Sequence, residues 1–270
     1  MKKVLGLATC FNRKNTTIAA LRALIEGNPK IAFRFIVVDD NSSDGTNEAL
    51  RLIPEVTVIH GNGKMFYSGG MRKAIDYALK MNEQFEYCLL FNDDVQFFPN
   101  AIEKMLKQSE NEIVVGATCD DEGKLSYGGV IKSSKIRPKF EIVDWNSPKA
   151  EECDTFNANC VVLPWNIFKE LDNIDPVYSH SLGDFDYGFQ ASKKGIQIKM
   201  YDSFVGICCD NPISGSWRDV TLSKRKRISK KESEKGLPFF EWFHYLKKNY
   251  SLLTAIIYSM TPYIRILLKK

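Results

Sequence analysis

The sequence lacks the cysteine and histidine spacings that mark disulfide-rich or zinc-binding proteins. Its seven cysteines are an odd number, none belongs to a C-x-x-C pair, and histidine occurs only three times. Small secreted domains and zinc knuckles depend on such pairs. The pattern therefore argues against a disulfide or zinc framework and indicates reduced thiols in a cytoplasmic protein.

A long apolar run is also missing. A membrane-spanning helix needs about 20 consecutive apolar residues. The longest candidate, 252–260, is short, contains polar residues and runs into Pro262. The apolar segment Val4–Ala8 is too short for the core of a signal peptide and is expected to form a strand. We therefore expect no spanning helix.

Strong charge of one sign is absent, because the net charge is only +4. Nucleic-acid-binding domains are usually strongly basic, so we expect no nucleic-acid partner. The basic residues are nevertheless uneven, and Lys224–Lys231 holds six of them with no acid. This cluster fits either a solvated loop or a contact with anionic lipid or a phosphate-bearing partner.

What the sequence does contain is an alternation of strand-like and helix-like segments. Strands are expected at 3–8, 33–38, 56–59, 87–91, 113–118, 159–163 and 197–201, and helices at 16–26, 46–51, 69–81, 99–108, 165–171 and 185–194. The region 120–152 is typical of hairpins and loops. The alternation predicts an α/β fold with a mostly parallel central sheet flanked by helices.

Polar clusters follow three of the expected strands. They are Thr9–Arg13, Asp39–Thr46 and Asn92–Asp94. Open α/β sheets bind ligands at the carboxyl ends of their strands. Adjacent carboxylates repel one another, and a hard divalent cation that also binds phosphate relieves that repulsion. Each cluster alone fits a turn or a helix cap, so the indication of a site comes from their convergence.

Two further segments could carry chemistry. The glycines of Gly61–Arg72 lie before a helix, where the backbone can approach an anion, although a tight turn explains them equally well. The segment is neither the dinucleotide fingerprint nor a Walker A loop. Asp184 and Asp186 open another helix, where one could act as a general base while the other orients it, or both could complement the helix dipole.

Taken together, these motifs resemble family 2 glycosyltransferases. The matching blocks are 9–13, 37–46, 69–75, 92–95 and 183–187, in the family's order. The likeness covers roughly residues 3–210 and is closest to the branch that builds bacterial surface polysaccharides such as capsule or O-antigen. It implies a GT-A domain over residues 1–220, followed by a helical, amphipathic extension over residues 221–270.

The resemblance also implies roles for the matched residues. The nucleotide-sugar donor would be bound by Thr9, Phe11, Arg13, Asp39, Asp40, Gly69, Gly70, Arg72, Asn92 and Asp93. Asp94, with Asp93, would hold a divalent metal, Mn²⁺ or Mg²⁺. Phe11 stands where the family usually has Tyr, and Asn92 where it has an acid. No histidine follows the last strand, where Cys208, Cys209, Asp210 or water would take its place.

The implied reaction is inverting transfer of a hexosyl or deoxyhexosyl group to a saccharide or glycolipid hydroxyl. Asp184 is the candidate base in the position of the family's Glu-Asp pair, with Gly183 replacing the Glu and Asp186 as the second candidate. Asn159, His180 and Trp217 are the expected acceptor contacts, although His180 also fits a plain loop residue.

The tail from Leu237 combines aromatic residues with lysines. Such a composition suits peripheral contact with the inner face of the cell membrane. A helical lid packed on the domain, or a homodimer contact, fits it equally well.

Two other functions stay open at this point. A sugar nucleotidyltransferase would share the sheet and the carboxylates, but usually needs a glycine-rich loop after the first strand, and Thr9–Arg13 has no glycine. A non-catalytic nucleotide-sugar-binding module is the other alternative.

Overall fold

A nine-stranded sheet forms the centre of the computed structural model, which describes residues 1–268. The strands in the described chain are β1 (Lys2–Cys10), β2 (Ile31–Asp39), β3 (Val56–His60), β4 (Tyr87–Phe91), β5 (Gln96–Phe97), β6 (Ile113–Cys119), β7 (Leu125–Tyr127), β8 (Gly129–Lys132), β9 (Phe140–Ile142), β10 (Thr155–Phe156), β11 (Cys160–Pro164) and β12 (Ile198–Ile207).

The central sheet has the order β3-β2-β1-β4-β11-β6-β12-β5, and β7 pairs with β6. Strands β1 to β4 are mutually parallel, and β6 is parallel to β12. Because β11 is antiparallel to both β4 and β6, these two groups run in the same direction. The predicted α/β class with a mostly parallel central sheet is therefore confirmed.

Helices cover both faces of this sheet. The helices of the described chain are α1 (Lys14–Gly27), α2 (Thr46–Leu50), α3 (Phe66–Leu79), α4 (Ala101–Gln108), α5 (Trp165–Glu170), α6 (Gly183–Lys193), α7 (Lys224–Lys231), α8 (Phe239–Asn249), α9 (Leu252–Ser259) and α10 (Thr261–Leu267), with a 3-10 turn at Pro148–Glu151. The first six flank the sheet, whereas α7, α9 and α10 contact other helices of the extension. Alternate residues of β1 point to opposite faces. Leu5 joins the cluster that contains α3, and Val4 joins the cluster that contains α1.

The region 120–152, expected to form hairpins and loops, contributes a small second sheet of order β10-β8-β9. Its Phe140 ring packs edge-on against Phe185 of α6 at 5.4 Å and against Tyr245 of α8 at 6.2 Å. The hairpin thereby joins the middle of the chain to the C-terminal helices. The two-residue strands β5 and β10 were not predicted.

The C-terminal extension is helical, as expected, and its last two residues, 269 and 270, lie outside the described part of the chain. The interpretation of Lys224–Lys231 as a solvated loop is wrong. The segment is helix α7, begun by Ser223, whose hydroxyl accepts from the N–H of Lys226. Arg227 and Lys231 are buried at 1% and 0% exposure.

The aromatic helix α8 packs on the domain. Trp242, Tyr245 and Leu246 are buried, whereas Phe240 is 83% exposed. The alternative of a helix packed on the domain therefore describes most of α8, although none of its residues lines the main cleft. Within residues 1–268, no helix is both long and apolar enough to cross a bilayer.

Candidate functional site

A cleft of about 520 Å³ opens where the parallel strands end. Its walls come from the segments that follow β1, β2, β4 and β12, and from the segment that enters α6. Parallel strands place their carboxyl ends at one edge of the sheet. The three polar clusters singled out in the sequence therefore meet in one cavity.

Most of the predicted site residues line this cleft. They are Thr9, Phe11, Arg13, Asp40, Asn92, Asp93, Asp94, Asn159, His180 and Asp184. The structure does not bring Asp39, Gly69, Gly70, Arg72, Asp186 or Trp217 to its wall.

Arg13 lies between the two carboxylates that follow β4. One of its Nη atoms is 3.2 Å from Asp93 Oδ1 and 2.6 Å from Asp94 Oδ2. Asp93 also accepts from Thr17 Oγ1 at 2.8 Å. Burial raises the pKa of Asp93, while Thr17 and Arg13 oppose that rise. Asp93 is thus a buried carboxylate with one partner on each oxygen, whereas the side chain of Asp94 is 36% exposed.

Asp93 and Asp94 are the carboxylates of the cleft that could hold a divalent cation. Across residues 1–268, no three His, Cys, Asp or Glu side chains converge on one point, so the chain offers no closed metal cage. The other oxygen of Asp94, Oδ1, accepts from Cys208 Sγ at 3.7 Å, and both residues line the cleft. Mg²⁺ commonly takes one or two carboxylates and completes its shell with substrate phosphates and water. The residues fit a cation shared between Asp94 and a bound diphosphate.

Asp40 organises the segment between β3 and α3. Its Oδ1 accepts from the N–H of Gly63 at 2.8 Å, and its Oδ2 accepts from Met65 at 2.8 Å and Phe66 at 3.1 Å. A Cβ at Gly61 would overlap Asp40, so glycine is needed there for the close approach. Asp40 is only 4% exposed, and its hydrogen bonds shape this wall of the cleft.

Gly70, in the first part of α3, is needed for packing. A Cβ at Gly70 would overlap the Oγ1 of Thr9, so this glycine lets α3 lie against β1. Gly69 and Arg72 line a separate cavity of about 400 Å³. Arg72 donates to the carbonyls of Asp175 and Tyr178 at 3.1 and 3.3 Å. Arg72 therefore holds the loop before α6.

Asp39 also has a local partner. Its Oδ1 accepts from the N–H of Ser42 at 3.0 Å, and the residue is 1% exposed. This bond closes the turn that carries the rest of the Asp39–Thr46 cluster.

Asp184 lies in the first turn of α6 and is partly buried. Burial raises the pKa of its carboxyl to about 6, and the backbone N–H groups of Ala158 and Phe185 moderate the rise. No cation pairs with Asp184 in the described chain. A Cβ at Gly183 would overlap Ser68, which explains the glycine at this position. Asp184 is thus a carboxylate poised to exchange a proton near neutral pH.

Asp186 faces away from the cleft. It is 1% exposed and accepts from Lys248 Nζ at 2.7 Å and from Asn249 Nδ2 at 2.9 Å. Lys248 also reaches Asp175 at 3.0 Å. Asp186 therefore fastens α6 to α8.

The predicted acceptor contacts separate into two groups. Asn159 and His180 line the cleft. Burial lowers the pKa of His180 to about 4, so its ring is neutral, and its Nδ1 accepts from the N–H of Tyr67 at 3.4 Å. Trp217 lies elsewhere, and its carbonyl accepts from Arg227 Nε at 2.9 Å.

Comparison with known protein families decides the affiliation. Residues 7–158, more than half of the chain, match the family described as Glycosyl transferase family 2. The chain belongs to glycosyl transferase family 2. A search among curated proteins finds no significant match.

Solved structures show the same fold as this glycosyltransferase. One is the mannosyltransferase PcManGT from Pyrobaculum calidifontis in complex with GDP-Man and Mn²⁺, with 14% identity, a TM-score of 0.54, and coverage of 98% of this chain and 73% of that one. Another is S. aureus TarS 1-349 in complex with UDP-GlcNAc, with 13% identity, a TM-score of 0.55, and coverage of 99% and 80%. The fold agrees with the GT-A class that the motifs implied.

Several cleft residues of the glycosyltransferase were missed by sequence reasoning. Phe66 and Tyr67 line the cavity at the start of α3, and Lys235 reaches it from the turn between α7 and α8. Phe66 has a positive φ of 52° and meets the His180 ring edge-on at 6.3 Å. Both aromatic residues belong to the segment 61–72 that was singled out for its glycines, so that segment held the signal that could have found them. Lys235 lies between the basic segment 224–231 and the aromatic tail, and neither pattern pointed to the cleft.

The three hydrogen bonds that Asp40 accepts from the backbone of residues 63–66 lead to a prediction. In Asp40→Asn, the amide nitrogen cannot accept, and the remaining oxygen carries no charge. We expect hydrogen exchange of the Gly63, Met65 and Phe66 amides to accelerate by about tenfold or more, as for charge-assisted bonds that are lost. Exchange measured by mass spectrometry on a peptide covering 61–66 checks this.

A matched control is Asp120→Asn. Asp120 Oδ1 also accepts two backbone N–H bonds, from Glu122 and Lys124 at 2.9 and 2.8 Å, in an exposed turn. That variant should leave exchange at 61–66 unchanged. Unaltered exchange in Asp40→Asn itself would contradict the role of Asp40.

Proposed function

We propose that this family 2 glycosyltransferase is an inverting enzyme that moves a hexosyl or deoxyhexosyl group from a nucleotide-diphosphate-sugar to an acceptor hydroxyl. The observation that carries the proposal is the position of Asp184. Its carboxylate shares one cleft with the Arg13, Asp93 and Asp94 group and has no cationic partner among the described residues. A base and a phosphate-binding end in one cavity are the two parts that single displacement requires.

In the proposed reaction, Asp184 takes the proton from the acceptor hydroxyl. The oxygen of that hydroxyl attacks the anomeric carbon on the side opposite the diphosphate. The bond from that carbon to the diphosphate oxygen breaks, and the electron pair leaves with the diphosphate. Because the carboxyl pKa is raised to about 6, Asp184 is ionised at neutral pH yet a better base than an exposed aspartate. Asp186 holds α6, and so orients Asp184.

The donor would occupy the wall formed by the ends of β1, β2 and β4. Phe11 is 49% exposed, which leaves its ring free to stack on a base. Asp40 contributes the shape of the 61–66 segment and one remaining lone pair for the base. Gly70 and Thr9 act together by holding α3 against β1.

The diphosphate end combines Arg13 with a divalent cation, Mn²⁺ or Mg²⁺. Asp94 is the first proposed ligand, with Asp93 behind it, and Asn92 beside the diphosphate. When bound, the cation supplies positive charge that stabilises the departing diphosphate. Support comes from the partly exposed side chain of Asp94 in the cleft and from the Mn²⁺ complex of the mannosyltransferase described above.

We propose a saccharide acceptor, carried on a lipid, in the synthesis of a bacterial surface polysaccharide. The protein would act in the cytoplasm at the inner face of the membrane, with residues 1–220 as the catalytic domain and 221–270 as an extension. Asn159 and His180 would contact the acceptor from the cleft wall. Trp217 would influence the acceptor only indirectly, through the position of the chain segment to which it belongs. A homodimer is compatible with this arrangement.

The deciding experiment is donor hydrolysis over a panel of nucleotide sugars, with Mn²⁺ and with a chelator. We expect release of a nucleoside diphosphate from one donor, reduced by about tenfold or more with chelator because the leaving charge loses its partner. Pyrophosphate release from a nucleoside triphosphate would favour a sugar nucleotidyltransferase. Donor binding in calorimetry without any turnover would favour a non-catalytic binding module.

The metal assignment has its own variant. Asp94→Asn should abolish the stimulation by Mn²⁺, because the carboxylate available for the cation is gone. The remote control Asp120→Asn should keep full stimulation. Normal stimulation of Asp94→Asn would remove Asp94 from the metal site.

The base assignment predicts a pH profile. Below pH 6 the carboxyl of Asp184 gains its proton, so the transfer rate should fall about tenfold per pH unit there and level off above. Asp184→Asn should lower transfer by about a thousandfold or more, near the upper range for general-base catalysis, while calorimetry shows donor binding intact. Steady-state rates from pH 5 to pH 8 measure both effects.

The matched control is Asp186→Asn. It leaves Lys248 with one carboxylate partner fewer, so we expect a lower melting temperature and a smaller loss of rate with an unshifted pH profile. Near-normal transfer by Asp184→Asn, or a pH profile that moves only in Asp186→Asn, would assign the base elsewhere.

A further inference from the structure

Helices α9 and α10, with the residue between them and the residue after them, expose a set of large apolar side chains, here called the apolar surface. Its members are Leu252, Leu253, Ile256, Ile257, Met260, Ile264, Leu267 and Leu268, each between 48% and 67% exposed. Residues 252–268 contain no acid, and Arg265 is their one charged residue. Monomeric soluble proteins normally scatter exposed aliphatic residues singly, so a row of this kind indicates a contact surface.

The other side of these helices is fixed to the protein. Ala255 and Ile266 are fully buried, and the indole N–H of Trp242 in α8 donates to the carbonyl of Tyr258 at 3.2 Å. Ser251 begins α9 by accepting from the N–H of Thr254. The apolar surface is therefore the outer face of two anchored helices.

A basic patch lies on α7, the helix that packs against α10. It consists of Lys224, Arg225 and Lys226, all exposed in the first turn of α7. Helix α7 is joined to α10, because Lys231 Nζ lies 4.1 Å from the centre of the Tyr263 ring and the Tyr263 hydroxyl bonds Glu232. The sequence pattern had singled out this charge, and the proposed transfer reaction makes no use of it.

We propose that the apolar surface and the basic patch together dock this protein onto an anionic lipid bilayer. Helices that carry an aliphatic face beside Lys and Arg lie in the plane of the membrane interface, with the aliphatic side chains below the headgroups. The basic patch then faces anionic headgroups, whose field attracts each positive charge. Helices of eight and seven residues suit this depth and cannot span.

Charge favours a bilayer over a second copy of this chain. A two-fold dimer through the apolar surface would use the same patch on both copies. It would bring two basic patches of equal sign toward one interface, which repel. An anionic membrane instead complements both components of the surface.

Docking requires only the exposed residues of the apolar surface and the basic patch, and it does not depend on the proposed transfer reaction. The C-terminal extension links this surface to the cleft, because Lys235, in the turn between α7 and α8, lines the cleft. Under the proposed function, docking on the bilayer would hold the cleft near a lipid-linked acceptor. Vesicle binding and donor turnover are separate measurements, so failure of either proposal is distinguishable.

The test is co-flotation of the full chain with phosphatidylcholine vesicles and with vesicles that also contain about one third phosphatidylglycerol. We expect binding to the anionic vesicles to exceed binding to the neutral ones by about tenfold at low salt, and to fall as salt screens the charges. Lys224→Gln, Arg225→Gln and Lys226→Gln combined should remove that excess and leave neutral binding unchanged.

The apolar component is tested by Leu253→Glu with Ile257→Glu, neighbours one helical turn apart and 67% and 51% exposed. Their exposure spares the core, and circular dichroism verifies the fold. Binding to anionic vesicles should fall by about tenfold or more. The matched control is Leu52→Glu with Leu79→Glu, 82% and 40% exposed elsewhere, which adds the same charge and should bind nearly normally.

Three results would overturn the proposal. One is no binding to either vesicle. Another is an equal loss of binding in the two double-glutamate variants, which would reduce the effect to net charge. The last is a dimer in sedimentation that only Leu253→Glu with Ile257→Glu dissociates, without vesicle binding, because the surface would then join two copies.

Discussion

The arrangement of the cleft depends on one buried carboxylate. Asp40 follows β2 and receives three backbone N–H groups from the segment that leads into α3. A charged acceptor of several N–H bonds is worth more than neutral bonds of the same number, and here it fixes the backbone of the segment that leads into α3. The start of α3 is therefore set, and with it the direction of Phe66 and Tyr67 into the cavity. Their neighbour His180 and the loop that leads to Asp184 are placed against this wall.

The architecture could be predicted because its signals are local. Residues 87–91 were expected to form a strand and do so in the structure. A short apolar run bounded by polar residues has few alternatives in a parallel sheet. β5 and β10 were missed because two residues carry no periodicity. α7 was missed because its residues are mostly basic, and its helical form depends on the Ser223 cap and on packing against α10.

The site was predictable where it lies at strand ends and unpredictable where it depends on distant partners. Thr9, Asp40, Asp94 and Asp184 share one cleft, as the convergence of their motifs indicated. Arg72 was expected along the nucleotide, but α3 begins three residues before the expected helix, and Arg72 binds the carbonyls before α6 instead. Asp186 could not be interpreted from sequence, because its partners lie 62 and 63 positions further along the chain.

The bond between Asp186 and Lys248 has a consequence for any shortened form of the protein. Asp186 is almost completely shielded from water, and an unpaired carboxylate in that position is costly. Lys248 and Asn249, which bond this carboxylate, both belong to α8. A chain cut before α8 would therefore remove both bonds from a buried charge on the helix that carries Asp184. The last helices are thus part of the folded unit and not an appendage that can be trimmed away.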